Sequence, residues 1–255
     1  MSQNTQAQDF SSLHVPGRPL VLYNAWDASS AKAVAKAGAT ALATSSWSMA
    51  RAQGYEDGEN IPLEFALSLL GRITASNTLP VTHDFEAGYA SDTGTLATNT
   101  ERVIAAGAVG VNFEDGLPGG SGLQSVSSQT ARISAMRRAA EATGVPLFIN
   151  ARTDVFFQGS KPDDHPALMD DAKARLTAYA ATGADGIFFP GLITPGLIAE
   201  MCDASPLPVN IMQIGKAPDT PTLASLGVAR ISYGPAPFLS ASASLTEAAQ
   251  SAFGG

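Results

Sequence analysis

Three stretches hold most of the chemical possibility of this chain: "HDFEAGYASD" at residues 83–92, "NFEDGLPGG" at 112–120 and "FINARTD" at 148–154. Asp84 and Glu86 stand two apart, as do Asn112 and Glu114, and Asn150 and Arg152. In a β-strand that spacing sends both side chains of a pair to the same face. Three acids and a guanidinium gathered in one small volume repel or protonate unless a cation neutralises them. A hard divalent ion, Mg2+ or Mn2+, suits carboxylate oxygens and water, and the lack of a His/Cys cluster speaks against zinc. The competing expectation is that these acids cap helices or pair with lysines on a rim.

The elements that must position these residues follow from recurring punctuation. "AKAGATALATSS", "IAAGAVGVNFED", "YAATGADGIFFPG" and "ASLGVARISYG" each write a small-residue helix end, a glycine and a short apolar run, which reads as a helix cap followed by a strand buried on both faces. "LPVTHDFEAG", "VPLFINARTD" and "LPVNIMQIG" open strands on proline, and "RPLVLYNAWD" supplies the eighth. Helical patterns lie between them at 27–37, 62–76, 95–106, 127–143, 163–182, 194–203, 220–226 and 237–253. Eight alternations predict an α/β fold, a (β/α)8 TIM barrel spanning 1–255 as one domain, with 1–15 a polar N-terminal extension. A doubly wound open sheet also alternates and is the alternative. Strand C-terminal ends carry Ser45–Ser46, Asp84 with Glu86, Glu114–Asp115, Arg152 with Asp154, and Asn210, whereas the other ends carry Ala39, Pro80, Ala108, Pro146 and Pro208. Polarity therefore collects on the face where barrel enzymes do chemistry.

Composition narrows the partners. With 45% hydrophobic and 15% charged residues the chain can build a large core, and a net charge of -8 opposes non-specific binding to nucleic acid or an anionic membrane. The single cysteine, Cys202, offers neither an internal disulfide nor a thiolate cluster and reads as packing. "MSQNTQAQDF" lacks the apolar core of a signal peptide and no run has the length of a membrane span, so a cytoplasmic protein is expected. The glycine-rich loop at 116–125 resembles a phosphate cradle only superficially, because Pro118 interrupts it and no Lys-Ser/Thr ends it. A lid over the site fits its position better, with a plain connection as the alternative.

Taken together, "LYNAWDASSAKAVAKAGATAL", "HDFEAGYASD", "GAVGVNFED", "LFINARTD" and "LPVNIMQIG" resemble the isocitrate lyase/phosphoenolpyruvate mutase superfamily over nearly the whole chain. The resemblance implies Mg2+ held directly by Asp84, and by Asp57, Glu86 and Glu114 largely through bound waters. It implies that Ser46, with the backbone of Trp47 and Ser48, holds a substrate carboxylate, that Arg152 binds a carboxylate or oxyanion, and that Asn210 lines the distal pocket. Substrates of the family are small 2-oxo or 2-hydroxy carboxylic acids, and the assembly it implies is a homo-oligomer, a tetramer whose subunits exchange the last barrel helix; a dimer also fits. Arg152, Glu114 and Asp57 are the catalytic candidates.

The departures are informative. Lyases of the superfamily carry a Lys-x-Cys-Gly-His-type signature after strand 4, where this chain has "GLPGGSGLQS", and Gly191 stands where an acid is expected after strand 6. Cleavage of a 2-hydroxy acid needs a base and an acid, so decarboxylation of oxaloacetate, which needs the least equipment, is the leading reaction. Retro-aldol cleavage of the isocitrate or methylisocitrate lyase type is second, and a metal-dependent binding protein for pyruvate, oxaloacetate or 2-oxoglutarate is the non-catalytic alternative. His83 is expected to pack in the core and His14 and His165 to be solvated; Tyr89 is read either as a proton source near the metal or as packing.

Overall fold

The computed structural model describes residues 2–119, 121–159 and 161–254. Eight parallel strands, β1 (Leu20–Leu22), β2 (Leu42–Ala43), β3 (Val81–Asp84), β4 (Gly110–Glu114), β5 (Phe148–Arg152), β6 (Gly186–Phe189), β7 (Val209–Met212) and β8 (Arg230–Ser232), pair in the order β1-β8-β7-β6-β5-β4-β3-β2. Helices α2 (Ala28–Lys36), α4 (Leu63–Ala75), α5 (Thr93–Ala105), α6 (Val126–Thr143), α7 (Met169–Ala180), α8 (Pro195–Ala204) and α9 (Thr220–Ser225) follow successive strands. This is a (β/α)8 barrel. Its seam lies between β1 and β2, joined by the isolated parallel bridge Ala25–Thr44. Asn24 stitches that seam: its amide donates to the Thr44 carbonyl at 2.7 Å, and its Oδ1 accepts from the Tyr233 and Gly234 amides at 2.9 Å.

Two helices fall outside the predicted alternation. The short α3 (Ser46–Ala52) begins directly after β2 because the Ser45 hydroxyl accepts from the Ser48 amide. The other is α1 (Gln3–Ser12), formed by residues expected to be a polar extension. Its polarity is what docks it: Gln3 donates to the carbonyls of Ile104 and Ala108, Asn4 to Gly144 and Gln6 to Thr78, all where helices end and strands begin. Phe10, fully buried, then plugs the barrel floor, and a Cβ at Gly110 would stand 2.8 Å from its ring. His14 stacks on Phe148 at 4.1 Å between centroids, and His165 packs against Phe156. Both are buried rather than solvated, because each ring covers apolar floor or wall. His83 is buried as expected, its Nδ1 2.9 Å from the Thr44 hydroxyl.

The barrel interior is layered. Above Phe10 the buried Arg230 donates to Asn112 Oδ1 at 2.9 Å, which also accepts from Asn150 Nδ2 at 2.9 Å. Above this polar layer lies the mouth. No helix among the described residues is long and apolar enough to cross a membrane.

Candidate active site

Register brings the mouth residues together. Glu114 and Arg152 are direct partners across β4 and β5, and Arg152 Nη1 lies 2.9 Å from Glu114 Oε2. On its other side Asp154 takes the guanidinium bidentately, Nε at 2.6 Å and Nη2 at 2.9 Å. Burial works against the charge of Arg152, but Glu114 and Asp154 overcome it and hold the group more firmly protonated than a free arginine. Burial raises the Glu114 carboxyl well above the usual range, with Arg152 opposing and Asp154, Asp84 and Glu86 adding repulsion. Asp84 sits at the end of β3, its Oδ2 accepting from the Ser46 amide at 2.9 Å and the Ser46 hydroxyl at 2.8 Å. Asn112 reaches its other oxygen only at 3.4 Å. Asp57 faces the same space from the rim, its carboxyl raised by burial and by Asp84.

Of these groups Ser46, Asp57, Asp84, Asn112 and Arg152 line a pocket of about 220 Å3. Its polar side carries Asn24, Ser46, Asp57, Asp84, Asn112 and Arg152, and its opposite wall is apolar, built from Trp47, Phe157, Phe188, Met212, Ile214 and Pro235. Phe157 comes from the single turn Val155–Phe157 after β5 and occupies the space where an acid after β6 would project. A Cβ at Gly191 would stand 2.8 Å from the Phe157 ring, so the position where the sequence led one to expect an acid has no room for any side chain while Phe157 stands there.

Three predicted site residues are placed elsewhere. Glu86 lies beyond β3 with φ of 51°, a left-handed conformation that turns its carboxylate sideways. Its Oε1 accepts from the Gly58 and Glu59 amides at 3.1 and 2.7 Å, and its Oε2 from the Tyr89 hydroxyl at 2.7 Å. Glu86 therefore fastens the turn that carries Asp57. Ser48 spends its amide on Ser45 and is buried, leaving the Trp47 amide as the one between them that neither cap uses. Asn210 is fully buried one layer down, exchanging hydrogen bonds with Ser232, which lines the pocket in its stead. Tyr89 cannot readily give up its proton: burial and Glu86 push its hydroxyl far above the ordinary value. Sequence reasoning missed Asn24, Phe157 and Asp115; only Asp115 left a signal, as the neighbour of Glu114 at a strand end.

The donor set fits a hard divalent cation that keeps much of its water. Among the described residues no three His, Cys, Asp or Glu side chains converge into a ready cage. Yet Asp57, Asp84, Glu86, Glu114 and Asp154 share the mouth with Arg152, and burial first, with repulsion among the acids adding to it, raises the carboxyls of Asp57, Glu86 and Glu114. Asp84, with an oxygen lacking a close donor, would hold the ion, with Asp57 and Glu114 placed to meet its waters. Glu86, both oxygens occupied, contributes charge rather than ligation.

The loop after β4 has a fixed neck. Gly116 bridges Leu123, Leu117 donates to the Gly122 carbonyl at 3.2 Å, and Gln124 donates to the Asp115 carbonyl at 2.7 Å. The expected lid, 116–125, passes through Gly120, which lies outside the described residues.

An acid-lined, arginine-braced pocket at the C-terminal mouth defines a (β/α)8-barrel enzyme. Residues 10–253 match the phosphoenolpyruvate phosphomutase family, and the chain belongs to it, within the isocitrate lyase/phosphoenolpyruvate mutase superfamily. A solved Burkholderia cenocepacia structure, provisionally assigned as a phosphonomutase, superposes with a TM-score of 0.95 at 47% identity over 100% of both chains. An uncharacterised Mycobacterium tuberculosis protein is 30% identical over 95% of this chain and 87% of its own. The 2-methylisocitrate lyase of Escherichia coli is 28% identical over 87% of this chain and 79% of its own, and the oxaloacetate decarboxylase of a Bradyrhizobium strain 33% identical over 58% and 49%.

Proposed function

We propose that this chain is a Mg2+- or Mn2+-dependent carbon–carbon lyase acting on small 2-oxo acids, with decarboxylation of an oxaloacetate-like substrate as its reaction. One observation carries this reading: the pocket gathers Asp84, Ser46 and Arg152, while Phe157 packs against Gly191, where the family resemblance led one to expect an acid. A divalent ion, when bound, supplies Lewis-acid charge for the carboxylate and keto oxygens of a 2-oxo acid. Arg152, locked between Glu114 and Asp154, offers a fixed cation to the anionic end of the substrate without ordering cost at the moment of binding. The C3–C4 bond breaks, CO2 leaves, and the electron pair remaining at C3 takes up a proton. Asp57 in the wall and Glu114 behind Arg152, whose carboxyls burial raises, are groups that can carry a proton. The apolar wall excludes water and leaves room for a C3 substituent.

That same wall, and similarity to a 2-methylisocitrate lyase over most of the chain, favour a second reading, retro-aldol cleavage of a branched 2-hydroxy acid. Pyruvate release from oxaloacetate with and without Mg2+ decides first. The expected outcome is metal-dependent loss above the spontaneous rate, reduced more than about a hundredfold in Asp84→Ala. Equal rates in the variant, or without metal, would reject the proposal. Product identification on a panel of 2-oxo and branched 2-hydroxy acids separates decarboxylation from cleavage, and calorimetry without turnover would point to a binding protein.

A further inference from the structure

Asp115 is fully buried beside the pocket, yet the chemistry above makes no use of it. Its Oδ1 accepts from the Asp154 amide at 3.0 Å, and its Oδ2 from the Tyr179 hydroxyl at 2.7 Å and Arg175 Nη1 at 3.0 Å. Arg175 Nη1 also donates to the Gln124 carbonyl at 3.0 Å, and Asp171 braces the same arginine at 3.1 Å. A single buried carboxylate just past the end of β4 is thereby tied to α7, to the neck of the loop after β4 and to the turn after β5. Asp154, whose backbone Asp115 holds, is the residue that grips Arg152 bidentately. The neck touches that grip too: a Cβ at Gly116 would stand 3.0 Å from Asp154 Oδ2.

We propose that Asp115, Arg175 and Tyr179 are positioning residues that set the reach of Arg152 into the pocket. Arg175 and Tyr179 fix Asp115, Asp115 fixes the Asp154 backbone, and the Asp154 carboxylate fixes the guanidinium. An arginine side chain has many rotamers, so a cation aimed before its anion arrives binds more tightly and holds it in register. The proposal rests on the reading of Arg152 as the group that receives the substrate's anionic end. It adds that this capacity is built from α7, a helix with no residue in the pocket.

The test uses Tyr179→Phe and Arg175→Lys, which leave Asp115 in place, with Arg137→Lys as the control. Arg137 pairs with Asp185 and the Leu147 carbonyl at the opposite end of the barrel. Two readouts are taken: the Arg152 Nε–H resonance, assigned by its loss in Arg152→Lys, and calorimetric affinity for oxalate in the presence of Mg2+. Expected for both α7 variants are a displaced Arg152 resonance, about tenfold weaker oxalate binding, and a raised KM with kcat within a few-fold. Arg137→Lys should lower Tm and change none of these. An unmoved resonance and unchanged oxalate affinity in both α7 variants, whatever their Tm, would overturn the proposal. If the native protein binds no oxalate, the functional reading fails, and the Arg152 resonance still decides the positioning role.

Discussion

Glu86 shows how a side chain can stand in the right sequence motif and do a different job. Spacing from Asp84 suggested a shared face, but alternation holds only while the strand continues, and β3 ends at Asp84. Past that point Glu86 and Tyr89 take positive φ, as does Glu59 in the turn ahead of β3, and the three lock one another: Tyr89 bonds Glu86 through its hydroxyl and Glu59 through its amide at 2.7 Å. Non-glycine residues held in that region store strain that surrounding contacts must over-determine. Deleting the carboxylate leaves two amides and a hydroxyl without an acceptor, each at a cost of about 1–3 kcal/mol. Glu86→Ala should therefore lose several kcal/mol of stability and disorder the Asp57 turn, while Glu86→Gln, which keeps an acceptor for both amides, should lose far less. Urea unfolding and exchange of the 57–59 amides measure this; equal loss in both variants would point to charge rather than fastening. Asp84, Glu114 and Arg152 were legible because each ends a regular strand, whereas Ser48 and Asn210 were misplaced by one residue of cap geometry and one layer of barrel depth.

At the scale of elements, alternation of apolar runs and glycine caps was enough to read eight strands and their helices, because each is a local pattern of periodicity and punctuation. The floor was not legible. α1 has no apolar stripe, and it docks through amide side chains seeking carbonyls 72 to 140 residues away, a relation no local pattern records. Its anchor has a testable acid sensitivity. Burial lowers the His14 pKa from 6.5 to about 3, with Arg230 adding repulsion. Between those values the unfolded chain binds a proton that the folded chain refuses, so stability present above pH 6.5 is lost as pH falls. By pH 5 the loss is about 2 kcal/mol from this residue alone. Burial likewise lowers His83, to about 4, so the protein as a whole should be acid-labile. Replacing His14 by Phe removes its share: thermal melts at pH 7.5 and pH 5 should differ by several degrees less than in the native chain. Identical acid shifts in the two proteins would show that His14 does not titrate on unfolding.

For the whole molecule, two surfaces remain that a single chain leaves incompletely covered. A barrel of this kind covers each strand with a helix, but α10 (Ala236–Ala252), which follows β8, buries only Pro237 along its 17 residues. Leu239, Leu245 and Phe253 are 50%, 72% and 88% exposed. Its start is pinned where Phe238 meets Trp26 and Trp47, and the rest projects. Meanwhile an apolar cavity of about 820 Å3 opens beside β1, lined by Leu13, Leu20, Val21, Tyr23 and Val34. A helix gains most of its stability from packing, and an uncovered apolar face of this size is one that a second copy would cover if the chain assembles. One copy's α10 laid into another copy's groove would cover both, and it is the arrangement to test that the family resemblance implied. Light scattering after size exclusion should give a multiple of the 26.2 kDa chain. Leu239→Glu combined with Leu245→Glu should shift it toward the single chain and lower Tm, since each charge would otherwise be buried unpaired. Neither Leu239 nor Leu245 lines the pocket, so any activity lost with them measures how much the pocket, whose wall includes Trp47 beside Phe238, depends on the placement of α10. A native protein that already runs as one chain, with the variant unchanged, would leave α10 without a partner and refute the exchange.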